Sequence, residues 1–571
     1  MRSGKLTVCL VTLLFAVMAM VLWAIEPRPE IMPIALSLSS AEKEETITCW
    51  KNEAGEYFLF LPSYGDCGSA EFQPRTRDVW IDGKPVEEGM PCGGFSLDTP
   101  YAFSFASAEG EVHTSLTFTR SAGLPTLFLD ANSGSMEHIH SKKGNAETGR
   151  MHLYLPDGSL AYAGDLDRIN GRGNDWLIPK KSYSLKLAAA ADLLGMGQAE
   201  KWILQANAFD ASHLRNKLAY DFAASLGLED SPDSRWVDLY LNGEYAGLYL
   251  LCERNELTEQ RIWPEGEGKY LVSMDVPWRL EENNKPFVMT RSGYAFRIHD
   301  SQLEDSALQQ LLQSVENAIS AEDGRDPVTG KHWTELIDLD SWARKYLVEE
   351  IFGNSDGGAI SQYFYGSLEE PRMYAGPVWD FDVSMGNSQA ARVSDPQSIL
   401  AARPRTWSGN SSLSWFHGLY RQELFREHMA RIYREECLPL LDVFLKEKVT
   451  EYTLQIRWAA TMNQLRWETL DTGRVNVLTE TEKIFSYMEQ RIAFLNQLWL
   501  EGEKFHWVLL DADDGVFTAC FAVRPGETLP DLPEYKQSAE NPGWYIAGTE
   551  NPFDLTQSIL EDMELILRQS A

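Results

Sequence analysis

Asp380 and Asp382, in the run Val378-Trp379-Asp380-Phe381-Asp382, are two carboxylates one residue apart at the end of an apolar stretch. In an extended segment side chains alternate, so both carboxylates project to one side and Trp379 and Phe381 to the other. Hard oxygens placed this way suit a Mg²⁺ ion held against phosphates. Asp356, in Asn354-Ser355-Asp356-Gly357-Gly358, precedes them at a helix-to-strand junction. A carboxylate there can accept or orient a hydroxyl proton. The complementary charge lies earlier, where Gly171-Arg172-Gly173-Asn174-Asp175-Trp176 is followed by Pro179-Lys180-Lys181-Ser182-Tyr183-Ser184-Leu185-Lys186-Leu187. One arginine and three lysines beside a Gly-rich turn form a basic patch suited to a polyphosphate. If Tyr183 to Leu187 is a strand, Lys186 and Ser184 share one face and Tyr183 and Leu185 the other. The plainer reading is capping aspartates and a solvated hairpin with charged flanks.

That patch stands out because the rest of the chain is acidic. The 571 residues carry 51 Lys and Arg against 84 Asp and Glu, a net charge of −33. An electrostatic grip on a nucleic-acid backbone is excluded as a function class. A composition 44% hydrophobic and 24% charged is that of a globular protein.

The elements that must position these residues alternate between helix and hairpin. Leu214, Leu218, Phe222 and Leu226 repeat at helical spacing after Asp210, a predicted N-cap, with Gly227 as the stop. Trp236 to Leu241, Asn242-Gly243 and Leu248 to Leu251 predict a hairpin on a type I′ turn. Leu308, Leu311, Leu312, Val315 and Ile319 mark another helix, as do Leu339, Trp342, Tyr346 and Ile351, with Asp340 as cap and Gly353 as terminator. From about 413 to 500 the pattern is mostly helical, with Ile484, Met488, Ile492, Leu495 and Trp499 on one stripe. Without regular βαβ units, this order argues an α+β fold.

The expected organisation is a signal anchor or signal peptide at 1–25, a linker at 26–45, a β-rich N-terminal region at 46–150 with antiparallel strands, a core at 151–500 and a small strand-and-turn module at 504–571. Arg2 and Lys5 before the apolar run from Thr7 to Ile25 are an export signal, and the run is about as long as a bilayer span. The predicted location is therefore the cell membrane with an extracellular body, or secretion to the cell surface, with membrane contact through the N-terminal segment. Of the cysteines, Cys67 with Cys92, or either with Cys49, is the expected bridge, since all three share one loop-rich stretch. Six cysteines outside the apolar run leave fifteen pairings open.

Taken in order, Gly171-Arg172-Gly173-Asn174-x-Trp176, Lys180-Lys181-x-Tyr183-x-x-Lys186, Asp210-x-Ser212-x-Leu214-Arg215-Asn216, Asn242-Gly243-Glu244-Tyr245-x-Gly247-x-Tyr249, Glu253, Asn354-x-Asp356 and Trp379-Asp380-x-Asp382 resemble the CotH family of spore coat kinases from about 160 to 390, more weakly to 500. The resemblance implies an atypical protein-kinase-like core with a β-rich N-terminal lobe and a helical C-terminal lobe. It implies transfer of the γ-phosphoryl group of ATP, with Mg²⁺ or Mn²⁺, to Ser or Thr of surface or spore-coat proteins. Carried over residue by residue, Lys186 contacts the phosphates, with Arg172, Lys180 and Lys181 as further basic candidates. Glu253 pairs with that lysine, Asp356 is the catalytic base, and Asp380 is the main metal ligand with Asp382 assisting. Trp379 and Tyr183 are either adenine-stacking platforms or buried core aromatics. The last segment loosely resembles the β-grasp repeats of bacterial surface proteins.

One departure matters. The family's Asn after the catalytic Asp, a second metal ligand, is replaced by Ser361 and Gln362. Gln362 can offer a carbonyl oxygen, and a catalytically dead scaffold is the alternative function. Three other motifs fail on context. Gly353-Asn354-Ser355-Asp356-Gly357 has the nucleophile-elbow spacing but the reverse order of helix and strand. The loop Gly324 to His332 resembles a Walker A turn only superficially and is expected to be a surface turn. His138 and His140, on one face of a predicted strand, lack further ligands at zinc spacing.

Overall fold

The computed structural model describes residues 32–568, apart from 40–42, 66–67, 69, 174, 370–371, 408–411, 469, 471–475, 513–517 and 536–542. The expected export segment, Cys67 and Asn174 lie outside the described residues. Among the described residues no helix is long and apolar enough to cross a membrane. The fold is mixed α and β, as the sequence pattern predicts.

The chain forms two compact units. The first takes the described residues up to Leu61, Gly65–Arg120 and Gly243–Tyr245. Its strands are short and apolar on alternate positions, and Tyr57 packs edge-on to Phe103 and Phe105 at 5.5 and 5.6 Å. Pro100–Ser107 and Gly110–Arg120 form an antiparallel hairpin. Tyr57–Leu61 pairs with Leu116 to Arg120 in parallel, against the antiparallel expectation. Side-chain alternation is the same in both arrangements, so the pattern could not distinguish them. Cys49 is a buried free thiol and not half of a disulfide.

The second unit holds every residue considered for chemistry. Seven strands close into a barrel: β1 (Thr126–Ala131), β2 (Ala146–Tyr154), β3 (Leu160–Arg172), β4 (Ser182–Asp192), β5 (Gln198–Gln205), β6 (Ser234–Leu241) and β7 (Glu244–Glu253). Their order is β5-β4-β3-β2-β1-β6-β7, and β5 pairs back to β7 with Trp202 opposite Glu253 and Gln205 opposite Leu250. Alternate residues fill the interior, among them Leu127 and Leu129, Tyr183, Leu185 and Leu187, Trp202 and Leu204, Val237 and Leu239, and Tyr249 and Leu251. A period of two turns every second side chain inward, and these positions are large and apolar. The β6–β7 turn is type I′, with φ of 47° at Asn242 and 80° at Gly243.

Helix α1 (Arg215–Ser225) follows β5 and buries Leu218 and Phe222. Its N-cap is Leu214, not Asp210. The Asp210 carboxylate instead accepts from Ser212 and from the Arg215 backbone N–H, 3.0 Å away, and so still caps the first turn from outside it. A second antiparallel sheet has the order β9-β10-β8-β11-β12, from β8 (Tyr270–Asp275), β9 (Phe287–Met289), β10 (Ala295–Ser301), β11 (Gln362–Gly366) and β12 (Tyr374–Ala375). Helix α2 (Pro277–Glu282) leaves the end of β8. Helices α3 (Asp305–Ser320) and α4 (Leu339–Ile351) cover the expected stripes. The α4 cap is Asp338, which accepts from Ser341 N at 2.8 Å, rather than Asp340. The Gly324–His332 stretch is a turn whose His332 caps a short helix, and His138 and His140 lie on a helical turn, not a strand.

Residues 504–571 fall in this second unit. Among the described residues, their strands are β13 (His506–Asp511), β14 (Ala519–Val523), β15 (Trp544–Ile546), β16 (Pro552–Phe553) and β17 (Met563–Leu567), in the order β14-β13-β17-β15-β16, with β13 and β17 parallel.

Candidate active site

Helix α4 stops at Phe352, and Gly353 takes a φ of 61°, a left-handed turn that suits glycine. The turns that follow carry Asp356. Asn354 anchors them: its Nδ2 donates to Glu349 at 2.7 Å and its Oδ1 accepts from Asp356 N at 3.1 Å. The Asp356 carbonyl accepts from Ala359 and Ile360.

Asp380 does not lie on a strand. Residues 376–381 are irregular and Asp380 itself has φ of 72°, so the expected two-residue alternation with Asp382 does not apply. Three groups hold the conformation instead. Asp380 N–H donates to the Tyr220 hydroxyl at 3.4 Å, Phe381 N–H donates to Asn216 Oδ1 at 2.7 Å, and Arg215 Nε donates to the Ser384 carbonyl at 3.0 Å. The Leu214-Arg215-Asn216 motif thus positions the Asp380 loop. Ser361 Oγ donates to Asp380 Oδ2 at 3.2 Å. Asp382 lies in the next turn, where its carbonyl accepts from Asn387 Nδ2 at 2.6 Å.

Asp356 and Asp380 are electrostatic neighbours. Burial first, and then the Asp380 carboxylate, push Asp356 up to about 7. Burial likewise raises Asp380, opposed by Arg172, Ser361 and Arg279. Asp275, at the end of β8, is raised by burial and opposed by the Val276 N–H, Arg279 and Arg297; Arg279 Nη1 stands 3.5 Å from its carboxylate.

Arg172 and Arg279 oppose the charge of Asp380, and Arg279 and Arg403 that of Asp356, while a wider set of cations gathers around His299. Arg172 lies over the Trp379 ring at 5.2 Å, and Trp379 in turn stacks on Tyr220 at 5.6 Å. Burial lowers Arg254 and Lys285, and the fields of Arg172 and Arg297 add to the effect on Arg254, that of Arg297 to the effect on Lys285. His299 is held well below its usual value by burial and by Arg297, Arg254 and Arg172, so it is neutral. Its Nε2 hydrogen-bonds Ser273 Oγ at 2.9 Å. Arg172 Nη1 and Arg297 Nε are buried without a hydrogen-bond partner. Among the described residues, Arg172, Arg254, Lys285 and Arg297 form no ion pair. Lys285 is exposed and the three arginines are half-buried; a buried guanidinium N–H without an acceptor, as at Arg172 and Arg297, is costly.

The three lysines of the basic patch point elsewhere. Lys180 is buried and donates to the Ala206 and Leu248 carbonyls at 2.7 and 2.8 Å. Lys181 donates to the Trp176 and Ile178 carbonyls at 2.7 and 3.0 Å. Lys186 lies on the outer face of β4, as the alternation predicts, and pairs with Asp167 at 2.9 Å and Glu200 at 3.8 Å. The expected Lys186–Glu253 pair is not formed. Glu253 pairs with Arg261 and accepts from Asp233 N at 2.9 Å. Tyr183 is inside the barrel, hydrogen-bonded to His140 at 2.7 Å. Gly171 is required because a Cβ there would lie 2.4 Å from the Trp176 ring. Gln362 is fully buried, with its Nε2 donating to the Ile360 carbonyl at 3.0 Å and its side chain beside Glu349.

Arg254, Arg279, Lys285, Arg297 and Asp275 were not legible as site residues. They stand singly in the sequence, and only the crossing of β7, β8, α2 and β10 brings them together.

Among the described residues no group of three or more His, Cys, Asp or Glu side chains is arranged to hold a metal. The donor set nonetheless fits Mg²⁺. That ion keeps several waters and is bound through one or two carboxylates plus substrate phosphates rather than a full protein cage. Asp380, with the Ser361 hydroxyl 3.2 Å from its carboxylate, offers such a ligand.

No curated protein matches the chain. The family described as CotH kinase protein matches residues 168–495, more than half of the 571 and spanning every site residue named above. The chain therefore belongs to the CotH kinase protein family.

Proposed function

We propose that this protein is an exported or membrane-anchored protein kinase that transfers the γ-phosphoryl group of ATP to Ser or Thr hydroxyls of surface or spore-coat proteins. The observation that carries this reading is the buried Asp356 and Asp380 pair, with Arg172 and Arg279 opposing the charge of Asp380, beside guanidinium nitrogens of Arg172 and Arg297 that are buried without a hydrogen-bond partner. A triphosphate is an anion of the right charge to satisfy them.

In this reading Asp380, with Asp382 assisting, would hold Mg²⁺ or Mn²⁺. When bound, the metal neutralises charge on the β- and γ-phosphates. Arg172, Arg254 and Arg297 orient the phosphate oxygens. Asp356, whose proton affinity burial has raised, accepts the hydroxyl proton of the substrate. The hydroxyl oxygen bonds to the γ-phosphorus as the β–γ bridging P–O bond breaks, and ADP leaves with that electron pair. Trp379 is buried in the core, with Arg172 over its ring and Tyr220 stacked against it, so the buried-aromatic reading holds for it rather than the adenine platform. The C-terminal sheet is kept as a β-grasp-like surface module, a reading supported by its mixed five-stranded order.

A second reading, a catalytically dead scaffold that binds nucleotide, is favoured by the placement of Gln362 against Glu349 and of Lys186 on the outer barrel face. Incubating the purified protein with ATP, Mg²⁺ or Mn²⁺ and a Ser/Thr-rich acceptor separates them. The kinase reading expects phosphate incorporation lost in Asp356→Ala and Asp380→Ala; binding without transfer selects the scaffold, and no nucleotide binding sinks both.

A further inference from the structure

The segment 398–406 touches both the Asp356 turns and the C-terminal sheet. On one side it is stitched to β14: Ile399 N–H donates to the Cys520 carbonyl at 2.8 Å, and Thr518 N–H donates to the Thr406 carbonyl at 3.3 Å. Arg405 pairs with Glu564 of β17 and lies 3.4 Å from Asp511 of β13. On the other side, the Glu350 carboxylate at the end of α4 accepts from Leu400, Ala401 and Ala402 N–H at 2.8, 2.9 and 3.1 Å. A Cβ on Gly358 would meet the Ala401 carbonyl at 2.6 Å, so the segment lies directly against the Asp356 turns.

Arg403 joins the two sides through one side chain. It is fully buried. Its Nη2 donates to the carbonyls of Ser355 and Gly357, at 2.9 and 3.1 Å, which flank Asp356. Its Nη1 donates to the Thr518 carbonyl at 3.3 Å. A planar guanidinium holds three carbonyls in one geometry, which a lysine cannot do.

We propose that Arg403 is a positioning residue through which the C-terminal sheet sets the place of Asp356, so that this sheet is part of the catalytic apparatus and not only a surface module. The inference rests on the reading of Asp356 as the base. It predicts that loosening the sheet at a distance from the nucleotide changes the chemical step and leaves nucleotide binding intact.

The test uses the full chain and the variants Arg403→Met, Arg403→Lys and Arg405→Ala, the last of which removes the sheet contact without touching the Asp356 turns. Two quantities are read: kcat and KM for ATP, and hydrogen exchange at the amides of residues 357–361. Arg403→Met should lower kcat on the order of 10- to 100-fold, as misplacement of a catalytic group does, with KM for ATP unchanged and exchange at 357–361 accelerated. Arg403→Lys should recover only part of the rate, and Arg405→Ala should shift both readouts the same way by less. Folded variants with wild-type exchange at 357–361 overturn the proposal, as does a rise in KM without a fall in kcat. If the wild type transfers no phosphate, the kinase reading fails while the exchange measurement still decides the coupling. If Arg403→Met does not fold, Arg403→Lys and Arg405→Ala carry the same two outcomes.

Discussion

Two groups of basic residues in this protein have opposite fates. Lys180, Lys181 and Lys186 are crowded into one hairpin, and each is consumed by the barrel: two donate to backbone carbonyls and one pairs with carboxylates on the outer face. Arg172, Arg254, Lys285 and Arg297 are spread over more than a hundred positions, yet their fields meet around His299 and Arg254, Arg172 also opposes Asp380, and none of the four forms an ion pair among the described residues. Local density of charge in a sequence therefore says little about where charge is left to do work. What marks a candidate site is cation that the fold gathers without an ion-pair partner, here with buried, unpartnered nitrogens on Arg172 and Arg297.

The comparison can be broken at either group. Asp380→Asn, which removes the carboxylate facing the arginines, should lower phosphoryl transfer by about 10²–10³-fold in a steady-state assay, the scale of lost transition-state stabilisation. A smaller loss would mean that the converging cations serve another ligand. Lys180→Met should cost about 2–3 kcal/mol of stability, since two buried carbonyls lose their donor, seen as a lower denaturation midpoint with nucleotide affinity little changed. Arg297→Met should do the reverse. Binding of ATP measured by calorimetry should weaken about tenfold, the value of one hydrogen bond to a charged group, while the denaturation midpoint of the nucleotide-free protein stays or rises because a buried guanidinium N–H without an acceptor is gone. Lys186→Ala should be nearly silent, with ATP affinity within about twofold of wild type, because an exposed ion pair contributes little. A large loss of affinity in that variant would reverse the assignment of the two groups.

Much of the scaffold was readable locally. The Asn242-Gly243 turn, the stripes on α1, α3 and α4, and the alternation that sends Tyr183 and Leu185 inward and Lys186 outward follow from short-range periodicity. The errors share a cause. Asp210 and Asp340 stand at cap positions in the sequence, but the backbone groups they serve depend on where the helix begins within its packing. Asp380 was given strand geometry because apolar residues precede it. Its left-handed backbone is held by Tyr220 and Asn216, some 160 positions away.

The sequence by itself determined the family, through six short motifs in order, and with it the two aspartates at the centre of the site. It also determined which strands and helices form, because hydrophobic period and turn chemistry act over a few residues. Tertiary structure alone decided which cations face those aspartates, that Gln362 turns toward Glu349, and that Arg403 links the Asp356 turns to a sheet more than 100 positions downstream. These are consequences of which elements cross and of what each buried polar group finds to pair with, and no local pattern carries that information.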